Sequence, residues 1–150
     1  ASSTTDYEAY TWDANGNRTS VRRRDGAVIG YTFDTLNRET VKDIPGGTAA
    51  DVYTAYDGAG RITSLLFAST AGSGIVLGYD SAKRLTSEAT FGQAMSYQYD
   101  LANNRTRVTW PDAFYAQYSY DAANHILLIS DSGMTIEGAV SGPVVPPQTL

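Results

Sequence analysis

Residues 10–21 read YTWDANGNRTSV, and the aromatic–Asp pair at their centre, Trp12-Asp13, belongs to the pattern that decides the fold. The pair occurs six times, and its Asp residues lie 21, 23, 23, 20 and 21 positions apart. A period of this length is typical of proteins in which each repeat forms one supersecondary unit. The six pairs are Trp12-Asp13, Phe33-Asp34, Tyr56-Asp57, Tyr79-Asp80, Tyr99-Asp100 and Tyr120-Asp121.

The repeat extends beyond the pair of residues that marks it. The third residue after each Asp is Gly, Asn or Lys, and the fourth is Asn, Arg or His. The sixth is Thr in every repeat except the last, where it is Leu127. Six copies in one register indicate a true repeat array.

Each repeat reads as a strand, a tight turn and a second strand. Aromatic residues such as Tyr10 and Trp12 stand two positions apart, which places both rings on one face of a strand. Two or three small or polar residues with Gly or Asn come after the Asp, and Asn15-Gly16 is among the strongest hairpin signals. We therefore predict an all-β fold, an array of about six antiparallel hairpins with looser connections between them and almost no helix. So broad a sheet must twist, curl or fold on itself.

The repeated Asp residues need compensation, because stacked repeats would bring like charges together. Backbone N–H groups of the turn can supply it. An Arg at the fourth or fifth position after the Asp can add a second partner, whereas the last repeat has His125 there. We also expect the aromatic residues to stack into a ladder. The Arg residues are Arg18, Arg38, Arg61, Arg84 and Arg105.

Composition narrows the classes of function. The formal charge of −5 argues against a nucleic-acid partner, because phosphate binding needs clustered Lys and Arg. The chain has no Cys and one His, so neither a disulfide framework nor a thiolate or multi-His metal site is expected. No apolar run is long enough for a membrane span. We assign residues 1–133 to the array and 134–150 to a Pro-rich strand or tail. The start at Ala1 rather than Met indicates a chain that is processed or excised from a longer protein, and the repeat favours excision.

No constellation of residues indicates catalysis, a metal or a cofactor. The regularly spaced acids are explained by the turns, and His125 has no triad context. We therefore expect a protein that is not an enzyme. Trp110 and Tyr115 lie in the most aromatic connection, where exposed rings could stack on a sugar. Packing of these rings over the sheet is the favoured interpretation.

The repeats resemble a known family. The segments YTWDANGNRTSV, YTFDTLNRETV, YDGAGRITSL, YDSAKRLTS, YQYDLANNRTRV and YSYDAANHILL are similar to YD repeats, also called RHS repeats, and the resemblance spans residues 7–131. Proteins of this family build hollow β shells. In bacterial polymorphic toxins and insecticidal toxin complexes the shell encloses a C-terminal toxic domain, and in teneurins a similar shell serves adhesion.

The resemblance implies that this chain is a shell segment without catalytic activity. It also implies a secreted or cell-surface bacterial protein, and delivery by a secretion system is compatible with it. Six repeats are too few to close a cavity, and the chain lacks the Asp-Pro-containing core motif at which such toxins end their shell. Encapsulation would therefore belong to a longer parent protein.

Two alternatives remain beside the shell segment. The first is a carbohydrate-binding or adhesion module, which exposed rings on the face of Trp12, Tyr99 and Tyr120 would favour and complete burial would oppose. The second is an enzyme, which a cleft with two unpaired acids would support. A piece of wall has open edges, so its expected partners are the rest of a longer YD-repeat protein or further copies of itself. Closure into a sandwich or barrel would also satisfy the edges.

Overall fold

In the computed structural model of the chain, residues 6–132 and the backbone of residues 135–136 are described. The prediction of an all-β array of antiparallel hairpins is confirmed. The described residues contain one short 3₁₀ turn, Thr48–Ala50. The strands are β1 (Ala9–Trp12), β2 (Arg18–Arg22), β3 (Val28–Phe33), β4 (Glu39–Asp43), β5 (Val52–Tyr56), β6 (Ile62–Phe67), β7 (Gly74–Tyr79), β8 (Leu85–Thr90), β9 (Gln93–Tyr99), β10 (Arg105–Thr109), β11 (Tyr115–Tyr120), β12 (Ile126–Asp131) and β13 (Thr135–Ile136).

The chain divides into two compact units, Ala1–Ala94 and Met95–Leu150. In the first unit each strand from β1 to β8 pairs antiparallel with the next along the chain. In the second unit the same order runs from β9 to β13. The proposed tail, 134–150, lies outside the described residues except for the backbone of β13. Its assignment as a separate segment stays a prediction.

The six repeat hairpins share one turn geometry. In the first, the Gly16 N–H donates to the Asp13 carbonyl, and the Asp13 N–H donates to the Asn17 carbonyl. The register shifts by one residue between Thr11 and Trp12, and an equivalent bulge occurs in each of the other five. This is a type I turn closed by a residue in the left-handed region. That residue is Gly16, Asn37, Gly60, Lys83, Asn103 or Asn124, with φ between 60° and 84°.

Three of the connections between repeat hairpins are as tight as the repeat turns or tighter, so the prediction of looser connections is wrong for them. One of the three, between β8 and β9, consists of Phe91 and Gly92 alone, with φ of 48° and 84°. Between β2 and β3 the Arg23 N–H donates to the Ala27 carbonyl, and Gly26 has a φ of 89°. Between β10 and β11 the Trp110 N–H donates to the Phe114 carbonyl. In the β2–β3 and β10–β11 turns the physical reason is that an Asp at the third turn position, Asp25 or Asp112, caps the turn.

A longer connection joins β4 to β5, and a buried acid holds it. Asp51 is only 5% exposed, and its Oδ1 accepts from the Ile44 N–H at 2.9 Å. The Asp51 carbonyl accepts from the Ala68 N–H in the following connection. One residue therefore fixes both connections at the same end of the sheet.

The sheet buries few apolar side chains. Residues opposite each other on neighbouring strands share a face, so Ala55, Ser64 and Val76 lie on one face of the first unit. Of the described apolar side chains, only Ile29, Val108 and Ala116 are buried. Stability therefore comes mainly from contacts between neighbouring strands, as in other repeat proteins. No sizeable core forms among the described residues, although the length of the chain would allow one.

Candidate functional site at the contact between repeats

Each repeat Asp organises its own turn. The Oδ1 of Asp34 accepts from the backbone N–H groups of Leu36, at 2.9 Å, and Arg38, at 3.0 Å. Its Oδ2 accepts from Nε of Arg38 at 2.7 Å. Because the Oδ1 bonds satisfy turn N–H groups that lie outside the ladder of the sheet, the carboxylate serves as a structural cap. The same Oδ1 bond to the fourth residue is formed by Asp13, Asp57, Asp80, Asp100 and Asp121.

The fourth residue after the Asp decides what holds the second carboxylate oxygen. It is Arg in three repeats, and the Nε of each Arg donates at 2.7 Å. In two repeats it is Asn, and in the last repeat Nδ1 of His125 lies 3.1 Å from Oδ2 of Asp121. The three Arg residues are Arg38, Arg61 and Arg84, and the two Asn residues are Asn17 and Asn104.

The two Arg residues at the fifth position have a different role from the one predicted. The Arg18 guanidinium lies 6.0 Å from the centre of the Tyr10 ring and 5.2 Å from that of Tyr31. Arg105 lies between Tyr97, at 5.9 Å, and Tyr118, at 5.8 Å. The prediction that these residues pair with the repeat Asp is wrong, because one position along the chain turns the side chain toward the rings.

The turn bonds lower the pKa of the carboxylates. For Asp34 the largest cause is the hydrogen bond from the Arg38 side chain, and for Asp57 it is the backbone N–H of Arg61. The Asn17 amide is the largest cause for Asp13. Hydrogen bonds to the charged form favour it. The pKa values of Asp80 and Asp121 are lowered in the same way, with the backbone N–H at the fourth position as the largest cause.

An Arg at the fourth position also links its repeat to the next. The Arg38 guanidinium lies 4.4 Å from the centre of the Tyr56 ring, and its Nη1 approaches the Asp57 carbonyl at 3.4 Å. In return, the Tyr56 hydroxyl donates to the Glu39 carbonyl at 2.9 Å. The two hairpins are therefore joined by a cation–π contact and a hydrogen bond in opposite directions.

The next pair of repeats forms the same contact. Arg61 lies 4.3 Å from the centre of the Tyr79 ring, and the Tyr79 hydroxyl donates to the Ile62 carbonyl at 3.1 Å. In both pairs the accepting carbonyl belongs to the residue directly after the Arg. We call this arrangement, an Arg at the fourth position over the aromatic ring directly before the next repeat's Asp, the arginine link.

Where the fourth residue is Asn, an amide contact replaces the arginine link. The Asn17 amide donates to Oδ2 of Asp13 and to Oδ1 of Asn37, both at 2.8 Å. In the second unit the Asn104 amide donates at 2.8 Å to Asn124. The accepting Asn is the left-handed third residue of the next repeat. This amide link therefore requires a specific residue type in the following hairpin.

The repeat aromatics are arranged differently from the predicted ladder of rings. Guanidinium groups lie between or over the rings described above, because a cation over a ring is attracted by its quadrupole. The stacked ring pair, Phe67 and Phe91 with centres 6.2 Å apart, involves neither repeat position. Among the repeat residues Trp12 stands apart, since it is 62% exposed.

The candidate sugar-stacking residues lie close together but in different settings. Trp110 is 39% exposed at the start of the β10–β11 turn. Tyr115 is half-buried, and Arg107 lies 3.7 Å from the centre of its ring. On the face proposed for sugar binding, Tyr99 and Tyr120 are also half-buried. Carbohydrate binding stays a prediction.

A polar groove of about 330 Å³ lies between the first two repeat turns. The carboxylates of Asp13 and Asp34 line it, but both accept hydrogen bonds from their own turns. Within residues 6–132, no group of three or more His, Asp or Glu side chains is placed to hold a metal ion. No helix of the described part is long and apolar enough to cross a membrane.

Comparisons with known proteins show similarity at the level of the fold. No protein-family model matches the chain, and no curated protein sequence is similar to it. The solved structure of TcdB2-TccC3-Cdc42 is similar over 81% of this chain, with 16% identity and a TM-score of 0.59. TcdB2-TccC3-TEV is similar over the same share, with 17% identity and a TM-score of 0.55. In each case the matched part is 7% of that chain, so this chain spans a small fraction of the proteins it resembles.

Proposed function

We propose that this chain is a non-enzymatic structural segment of an RHS/YD-repeat β shell. The observation that carries the proposal is that the repeated residues bond within their own turn and to the next repeat. Asp57 caps its own turn, Arg61 holds that carboxylate and extends to the next repeat, and Tyr79 receives it. Residues that bond in this way connect one hairpin to the next, as a continuous β wall requires.

Within the parent protein, the shell would encapsulate or present a toxin domain. Two observations support this part of the proposal. The sequence resembles YD repeats, and the fold is similar to chains of the TcdB2-TccC3 assemblies, of which this chain covers 7%. A protein of this kind would be a secreted or cell-surface bacterial protein. Its partners would be the adjoining repeats of the longer polypeptide.

The low burial of apolar side chains fits the same role. A wall exposes its edges and faces until its neighbours are in place, and large apolar side chains such as Phe114 and Leu127 are 59% and 54% exposed. Exposed strand edges and apolar surface favour association. We therefore expect the isolated chain to be either extended or associated.

The test is the mass and shape of the chain in solution, by light scattering together with small-angle X-ray scattering. An extended particle, or one that associates as its concentration rises, supports the wall segment. A compact monomer of 16.1 kDa at every concentration contradicts it, because the repeats would then close on themselves.

A further inference from the structure

The first strand of the array has an open edge. β1 pairs with β2 on one side, and it is the terminal strand of the sheet among the described residues. The residues just before β1 turn toward β2: the Tyr7 carbonyl accepts from Nη1 of Arg22 at 2.7 Å. Within the described part of the chain, the outer backbone N–H and C=O groups of β1 pair with no other strand, so a further strand can be added there.

Trp12 occupies the position at which later repeats receive an arginine. It corresponds to Tyr56 and Tyr79, which are half-buried beneath Arg38 and Arg61. Trp12 is 62% exposed, and in the described part of the chain no guanidinium lies over its ring. Tryptophan presents the best face for a cation, and its indole N–H can donate to a carbonyl as the Tyr hydroxyl does.

Gly16 separates the two types of link. The amide link requires an Asn at the left-handed third position, as at Asn37 and Asn124. Gly16 has no side chain and cannot accept such a bond. In the repeat that follows Arg38, the left-handed third position is Gly60. A Cβ added to Gly60 would lie 3.9 Å from Nη1 of Arg38, so this side of the glycine faces the guanidinium. The first repeat can therefore accept an arginine link from a preceding hairpin but not an amide link.

We infer that the outer edge of β1, with Trp12 and Gly16, is a docking site for another hairpin of the same repeat class. That hairpin carries Arg at the fourth position after its Asp, and it comes from the adjoining repeat of the longer polypeptide. Its return strand pairs with β1, and its guanidinium lies over the Trp12 ring. The inference rests on the proposed function and adds to it the chemistry of the neighbour.

The chain itself supplies a hairpin for the test. A copy of residues 28–43, which contains β3, its turn and β4, is joined to the N-terminus of the full chain. Residues 1–8 then connect the copy to β1, as residues 44–51 connect β4 to β5. A Trp110→Phe substitution leaves Trp12 as the single Trp of the fusion. The readouts are hydrogen exchange of the β1 amides and acrylamide quenching of Trp12.

We expect the β1 amides to become protected and Trp12 to become less accessible in the fusion. An Arg38→Ala change in the copy alone should lower the docking equilibrium constant about two- to five-fold, the range for an exposed cation–π contact. Arg38→Asn in the copy should be equally harmful. Adding Gly16→Asn should restore protection in that variant, because an amide link can then form.

The outcomes separate the inference from the proposed function. If β1 becomes protected but the Arg38→Ala copy behaves like the parent fusion, the arginine link to Trp12 is wrong and the wall role stands. If β1 gains no protection in any fusion, the edge does not accept a hairpin, which contradicts both. If Gly16→Asn restores nothing, the distinction between the two links is wrong.

Discussion

The Arg61 guanidinium lies 4.3 Å from the centre of the Tyr79 ring, one repeat further along the chain. The same side chain donates from Nε to Oδ2 of Asp57 at 2.7 Å. A single residue therefore joins the turn of its own repeat to the strand of the next.

Removing the hydroxyl of Tyr79 should weaken the contact between repeats. Tyr79→Phe keeps the ring under Arg61 but deletes the hydrogen bond to the Ile62 carbonyl. We expect a loss of about 1 kcal/mol in the free energy of unfolding, the typical net value of one hydrogen bond. Urea denaturation measures it. Tyr53→Phe is the matched control, because the Tyr53 hydroxyl has no hydrogen-bond partner within the described residues, and an equal loss there would contradict the explanation.

The energy of the arginine link can be isolated by a double-mutant cycle. Arg61→Leu, Tyr79→Leu and the double variant should give a coupling of about 0.5–1 kcal/mol, since the contact is near the surface. The same cycle with Arg61 and Tyr10 should give a coupling near zero, because Tyr10 contacts Arg18 instead. Equal couplings in the two cycles would show that the ring contact contributes nothing specific.

Acid should destabilise the fold. The pKa values of Asp13, Asp34, Asp57, Asp80 and Asp121 are lowered in the folded chain, so the unfolded state binds more protons near pH 4. The stabilisation is fully present above the unfolded pKa of about 3.9 and is lost as the pH falls through the folded values. Urea midpoints should be constant from about pH 7 to pH 5 and decline below.

A variant tests the origin of this pH dependence. Asp57→Asn keeps an oxygen for the turn N–H groups but removes one titrating group. The acid-range slope of stability against pH should decrease by up to about one proton's contribution. Glu8→Gln is the control, because Glu8 lies outside the repeat turns. A slope unchanged by Asp57→Asn would mean that other groups cause the acid sensitivity.

Two glycines should differ sharply in their tolerance of alanine. A Cβ at Gly74 would overlap the Leu65 carbonyl oxygen on the neighbouring strand, so the backbone would have to move. We expect Gly74→Ala to cost about 1–3 kcal/mol, as for overpacked sites. Gly58 has open space around its Cα, so Gly58→Ala should be neutral or slightly stabilising. Thermal unfolding of both variants checks the contrast, and similar losses would contradict it.

The sequence predicts the parts of the fold that depend on local chemistry. An Asp followed by Gly or Asn at the third position specifies a capped turn with one left-handed residue, and the fourth repeat forms the same turn with Lys83 at that position. The turn fixes the two flanking strands and therefore the hairpin. The tight β2–β3 and β10–β11 turns follow the same chemistry, but their Asp stands two positions later, outside the repeat pattern.

The contacts between repeats could not be derived from the same pattern. Whether an Arg stands fourth or fifth after the Asp decides whether it holds a carboxylate, like Arg38, or lies between two rings, like Arg18. Successive side chains of a strand point to opposite faces, so a shift of one position along the chain changes the partner. Asp51 was also missed, because a buried acid in a connection has no periodic signal in the sequence.

The arginine link has the same form in successive repeats, so it is compatible with arrays of different numbers of repeats. Deleting residues 39–61 would place Ile62 directly after Arg38, and the Arg38 side chain would then face Tyr79 as it now faces Tyr56. The arginine link across the junction would be of a kind already present in the chain. Unequal recombination between repeats could therefore lengthen or shorten such a gene by whole units while keeping the arginine link at the junction.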